Sequence, residues 1–88
     1  LPMKSKVEEL MVEILSKSDH GLTLNELVKL IRDVDPSLLT GKNPNKSLYS
    51  IIYRRELKRK ELNLTRLFKV DTTRRDSTYS LPSQENHR

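Results

Sequence analysis

The 88-residue chain carries 17 Lys and Arg against 12 Asp and Glu for a net charge of +5, with 34% hydrophobic and only 5% aromatic residues, which fits one small domain with an aliphatic core. No run approaches the roughly 18 apolar residues of a membrane span and none resembles a signal peptide, so the chain is expected to work in water inside the cell. A sequence without Cys excludes disulfides, thiolate zinc sites, iron–sulfur clusters and thiol nucleophiles, and the two distant histidines, His20 and His87, leave metal catalysis little to build on.

Met3 reads as the start of the natural segment, with Leu1-Pro2 as a cloning remnant. Val7, Leu10, Met11, Ile14 and Leu15 then recur at i, i+3, i+4, i+7 and i+8 among charged residues, which predicts an amphipathic helix from Lys4 to Lys17. Gly21 is expected to take the left-handed conformation that closes this helix or its turn. Thr23 and Glu26 form a capping-box pattern for a second helix, with Leu22 and Leu27 as its staple. Leu24, Leu27, Val28, Ile31 and Val34 are its expected buried stripe. Pro36 ends it, because the proline ring excludes helical geometry at Asp35, and Ser37 to Lys42 follow as a linker.

Asn43-Pro44 opens a third helix, with Asn as its cap and Pro at the first helical position, expected to run to about Lys60. Tyr49, Ile52, Tyr53 and Glu56, flanked by Leu48 and Leu57, are expected to face the other helices. Ser47, Ser50, Ile51, Arg54, Arg55 and Lys58 form the opposite, basic side, with Ile51 its one exposed apolar residue.

Beyond this helix the period falls from 3.6 to 2. Leu67 to Asp71 read as a strand, Thr72 to Ser77 as a turn-rich connection, and Thr78 to Leu81 as a returning strand stopped by Pro82. Phe68 and Val70 share one face, as do Tyr79 and Leu81, and Phe68 is expected in the core. Residues 61–66 read either as strand, from the alternation of Leu62 and Leu64, or as a further turn of helix. Residues 83–88 are expected to be a disordered tail.

Three helices followed by a two-stranded wing is the element order of a winged helix-turn-helix, a mainly α fold with a small β-hairpin, over residues 4–82. The charge is one-sided: residues 1–41 sum to −2, residues 42–75 to +8 and residues 76–88 to −1. Such a field is the footprint of a polyanion-binding surface. The basic side of the third helix and Arg74 and Arg75 at the hairpin tip are the parts a winged helix presents to DNA.

Arg54, Arg55, Lys58, Arg59 and Lys60 can be read as contacts to phosphates or base edges, or as a solvated helix end whose cations complement the macrodipole. Considered together with Lys42, Lys46, Arg74 and Arg75, nucleic-acid contact is the favoured reading. For Lys46, Ser47 and Ser50, at the helix start, contact and plain surface are evenly balanced. Tyr49 and Tyr53 could stack on unpaired bases, but core packing is favoured for them. Glu8, Glu9, Glu13, Glu26, Asp33 and Asp35 have neither ligand spacing nor a partner His and read as solvent-facing charge. No Gly-rich phosphate loop, nucleophile elbow, zinc signature or calcium loop occurs. No enzyme activity, metal or cofactor is expected.

Leu22-Thr23 to Leu30-Ile31, Gly41-Lys42-Asn43-Pro44-Asn45-Lys46-Ser47-Leu48, Ile52-Tyr53-Arg54, Phe68-Lys69-Val70 and Tyr79-Ser80-Leu81 together resemble the HARE-HTH module over residues 5–81. That winged helix is found in additional-sex-combs-like chromatin proteins, in the delta subunit of bacterial RNA polymerase and beside some restriction endonucleases and DNA-modifying enzymes. The chain departs from it where residues 59–66 and 72–76 lack glycine. The resemblance implies a module that binds double-stranded DNA in transcription or chromatin regulation, or that targets a larger DNA enzyme. Its alternative is a protein-interaction module docking an RNA polymerase or chromatin-complex subunit. The implied location is the nucleus, or the nucleoid or cytoplasm of a bacterium, and a monomer is expected.

Overall fold

In the computed structural model, which describes residues 4–82, the chain begins on a reciprocal cap. The Ser5 hydroxyl accepts the Glu8 N–H at 3.2 Å and the Glu8 carboxylate accepts the Ser5 N–H at 3.0 Å, which satisfies donors that a first turn otherwise leaves orphaned. Helix α1 follows over Lys6–Ser16 and buries Val7, Leu10, Met11 and Leu15, with Ile14 half-buried beside them. Gly21 departs from expectation, for no glycine has a positive φ among the described residues. A Cβ there would lie 3.0 Å from Thr78 Oγ1 and 3.3 Å from the Tyr79 carbonyl oxygen. The missing side chain admits a distant strand instead of turning the chain.

Leu22–Thr23 is that strand's partner, β1, and Thr23 also caps α2 (Leu24–Val34) through the expected box: its hydroxyl accepts the Glu26 N–H at 3.2 Å while the Glu26 carboxylate accepts the Thr23 N–H at 2.9 Å. Leu27, Val28 and Ile31 are buried, whereas Val34, on the last turn, is exposed. Leu38 and Leu39 in the linker pack against the core. Helix α3 runs over Pro44–Glu61, with proline at its start but without a side-chain cap from Asn43.

The rotation of α3 is not the one its aromatic residues predict. Leu48, Ile52 and Arg59 are buried, while Tyr49 and Tyr53 are 50% and 56% exposed. The reason lies in α1, where Glu8 is fully buried and its carboxylate accepts from Arg59 Nη1 at 2.8 Å, from Nη2 at 2.9 Å, and from Arg55 Nε. Burial pushes the Glu8 carboxyl up, but the hydrogen bonds from Arg59, Ser5 and Arg55 outweigh it and hold the group below its ordinary value. The Glu8 hydrogen bond raises Arg59 in turn, against its own burial. Glu8 is therefore not the solvent-facing charge that its sequence setting predicts.

The same chain of charges reaches the wing. Arg59 Nη1 also donates to Glu56 at 2.9 Å, and the Glu56 carboxylate accepts the Leu67 and Phe68 N–H groups at 3.0 and 2.9 Å. Glu56 thus fixes where the chain enters the sheet. Between them, Leu64 N–H donates to the Arg59 carbonyl and Asn63 N–H to the Lys60 carbonyl, with Asn63 at φ 59°. That is a Schellman closure in which Asn takes the left-handed position usually given to Gly. Glu61 therefore ends α3, residues 62–64 cap it, and residues 61–66 form no strand.

Strand β2 (Lys69–Asp71) and strand β3 (Thr78–Ser80) pair antiparallel, and β1 pairs antiparallel with the other side of β3, giving the order β1-β3-β2. The sheet has three strands where the sequence predicts two, because a two-residue strand has no periodicity to read. Val70 opposes Tyr79 in register, so Phe68, Val70, Tyr79 and Leu81 share one face. Phe68 and Tyr79 are buried, while Val70, on the edge strand, is 40% exposed. The molecule is mainly helical with a small antiparallel sheet, a winged-helix arrangement. Residues 1–3 and 83–88 lie outside the described residues, so the tail expectation does too.

Candidate nucleic-acid interface

Burying Leu48, Ile52 and Arg59 turns the opposite side of α3 outward. Lys46, Tyr53, Arg54 and Leu57 are exposed there and Ser50 is half-buried. Asn43, Lys46, Ser47, Tyr49, Ser50 and Arg54 line an open depression along the first half of the helix. Arg54 Nε donates to the Ser50 carbonyl at 3.2 Å, which lays the guanidinium along the surface. Lys42 is exposed just before the helix, and Lys58 is exposed beside Glu61, 3.9 Å away. A second depression joins α1 to α3 and brings Lys6 beside Arg54 and Lys58.

Three expected contacts change their role. Arg55 reaches inward to Glu8, with its side chain 23% exposed, because the buried carboxylate demands compensation. Arg59 is buried in the same cluster. Ile51 is half-buried and packed against the core, so it is not an exposed apolar anchor. Ser47 is half-buried too, and it keeps an edge on the outer depression.

Arg74 and Arg75 stand exposed on the connection between β2 and β3. Asp71 Oδ1 accepts the Thr73 N–H at 2.9 Å and the Thr73 hydroxyl at 2.6 Å, which bends the chain at the start of this connection. The Thr73 hydroxyl and amide hold the Asp71 carboxyl below its ordinary value.

Sequence reasoning missed the groove between α3 and the wing. Tyr49, Tyr53 and Leu57 form one wall and Leu64 and Val70 the other, over buried Ile52, Phe68 and Tyr79, with exposed Lys60 and Arg66 among the lining residues. The Tyr49 and Tyr53 rings are nearly parallel, 17° between planes and 6.1 Å between centroids. Burial, and secondarily the charge of Tyr49, raise the Tyr79 hydroxyl above its ordinary value. The only available signal was the i, i+4, i+8 spacing of Tyr49, Tyr53 and Leu57, which reads equally well as core.

The described residues hold no group of three or more His, Cys, Asp or Glu placed to bind a metal, and no helix among them is long and apolar enough to cross a membrane. Comparison with family models, with curated proteins and with solved structures finds no match to this chain.

Proposed function

We propose that this winged-helix domain binds double-stranded DNA, with the outer side of α3 in the major groove and the β2–β3 connection on the backbone. The observation that carries the reading is the sorting of cations. Arg55 and Arg59 are spent on Glu8 and Glu56 inside the molecule, while Lys42, Lys46, Arg54, Lys58, Arg74 and Arg75 remain on the surface of the elements that a winged helix offers to a duplex. An 18-residue helix, Pro44–Glu61, presents enough length to lie across the groove, and Ser47 and Ser50 supply short hydrogen-bonding groups beside Lys46 and Arg54. The HARE-HTH resemblance of the sequence agrees with a role in transcription or chromatin, or as the targeting part of a DNA enzyme.

The alternative of a protein-docking module loses Ile51 and Leu67 as anchors, since those side chains pack against the core, but keeps Leu62 and Leu64, which are 49% and 42% exposed. Titration of a labelled duplex at two or more salt concentrations tests the DNA reading. About four to six phosphate contacts should give a log–log salt slope of about −4 to −5. Arg54→Ala with Lys58→Ala should weaken binding about tenfold or more and flatten the slope by about 2. Binding that is absent at low salt, or indifferent to both substitutions, would overturn it.

A further inference from the structure

We propose that the groove between α3 and the wing receives unpaired bases of a single nucleic-acid strand, a form of ligand distinct from the duplex on the outer side of α3. The inference shares with the duplex reading the attraction of a cationic surface for phosphates and the rings of Tyr49 and Tyr53, which border both sites.

The chemistry of the groove selects the occupant. Its walls are aromatic and aliphatic, and its exposed charges, Lys60 and Arg66, are both positive and make no ion pair among the described residues. Glu56 is the one carboxylate in the lining, and it is consumed by Arg59 and by the Leu67 and Phe68 amides. A nucleotide strand complements both properties, because each base has a flat π face and each linkage carries a negative charge. Bases inside a duplex are already stacked and cannot offer their faces, so only an unstacked base can use Tyr49 and Tyr53.

The tyrosines are arranged for such a ligand. Their rings are nearly parallel, they stand half in water, and the helix leaves them there although four other large apolar side chains in contact with the sheet or helices are fully or nearly buried, namely Leu48, Ile52, Phe68 and Tyr79. Tyr49 and Tyr53 also line the depression on the outer side of α3. A strand leaving the end of a duplex on that side would therefore meet the rings without crossing an acidic surface.

The chain has three tyrosines and no tryptophan, and Tyr79 is buried, so quenching of the intrinsic tyrosine fluorescence by a stacking ligand reports mainly on Tyr49 and Tyr53, the two rings it can reach. The intact chain is titrated with oligo(dT), oligo(U), an abasic oligodeoxynucleotide of equal length and a duplex. Oligo(dT) or oligo(U) should quench the fluorescence and bind at least about tenfold more tightly than the abasic strand, the scale expected of base–aromatic stacking. Tyr49→Leu with Tyr53→Leu, at exposed positions and checked by thermal melting, should abolish that advantage, bringing oligo(dT) or oligo(U) affinity down to that of the abasic strand. Tyr49→Phe with Tyr53→Phe should retain it. Equal binding of based and abasic strands, or full binding by the leucine variant, overturns the proposal. So does an acidic amphipathic peptide that perturbs Tyr49 and Tyr53 in NMR spectra where neither oligonucleotide does. Duplex binding that is absent at low salt, or indifferent to Arg54→Ala with Lys58→Ala, with the base-dependent arm intact, would refute only the duplex reading.

Discussion

Glu8 shows how much one side chain can do in a small domain. It closes the capping box of α1 with Ser5 and receives Arg55 and Arg59 from α3, so a residue that looks like surface charge holds two helices in a fixed relation. Removing one partner of a buried ion pair leaves the other desolvated, at a cost of about 3–5 kcal/mol. Glu8→Gln should lower stability by that order in chemical denaturation at neutral pH, since Arg59 keeps only Glu56. The pH dependence follows from the sign of the shift. Glu8 is held below its ordinary value in the folded chain, so its contribution is complete above the ordinary carboxylate range and is lost as pH falls through that range and below. The wild-type chain should therefore lose stability on acidification, and the Glu8→Gln variant should show a flatter profile over the same interval. A variant as stable as wild type at neutral pH would show that the pair orders α3 without stabilising it.

At the scale of elements, the helix starts and stops were legible because each is decided within a few residues. Thr23 with Glu26, Pro36 and Pro44 behave as the sequence predicts, and the alternation of Phe68 to Asp71 and Thr78 to Leu81 gives the hairpin. The Ser5 and Glu8 box is equally local, but the run of charge around it resembles a solvent face. The rotation of α3 was not readable. Leu48, Tyr49, Ile51, Ile52, Tyr53 and Leu57 spread over about two-thirds of its circumference, and the group that orients it lies 47 to 51 residues earlier in the chain. With that rotation part of the candidate site changed: Tyr49 and Tyr53 face outward, while Arg55, Arg59 and Ile51 turn inward. The wing, by contrast, depends on a contact that was foreseen. Phe68 is 1% exposed at the entrance to β2, its amide held by Glu56, and a three-residue hairpin has little stability of its own. Phe68→Ala should cost about 3–5 kcal/mol, most of what a domain of this size has, and should be seen as a large fall in melting temperature. A variant that melts like wild type would mean that the sheet persists without its main apolar anchor.

For the molecule as a whole, the pattern of pairing concentrates the positive field. In the N-terminal half Lys17 pairs with Glu13 and Lys29 with Asp33, so cations and anions there sit close enough to cancel at a distance. In residues 42–75 all three carboxylates have partners, Glu56 in Arg59 and the wing amides, Asp71 in Thr73 and Glu61 in Lys58 at 3.9 Å, and the exposed Lys and Arg side chains outnumber them. Screening over about 8 Å at physiological salt means that a phosphate approaching α3 and the wing feels these cations and little of the acidic half. Arg74 and Arg75 contribute to that field from an exposed connection, where no burial or network depends on them. Substituting both by alanine should leave the melting temperature within about 1–2 °C of wild type, the response expected of surface positions in a domain this small. Duplex binding should weaken at low salt, and the salt slope should flatten by about 2, one counterion released per lost contact. If melting falls while the slope stays the same, the two arginines support the hairpin and the cationic surface ends at α3.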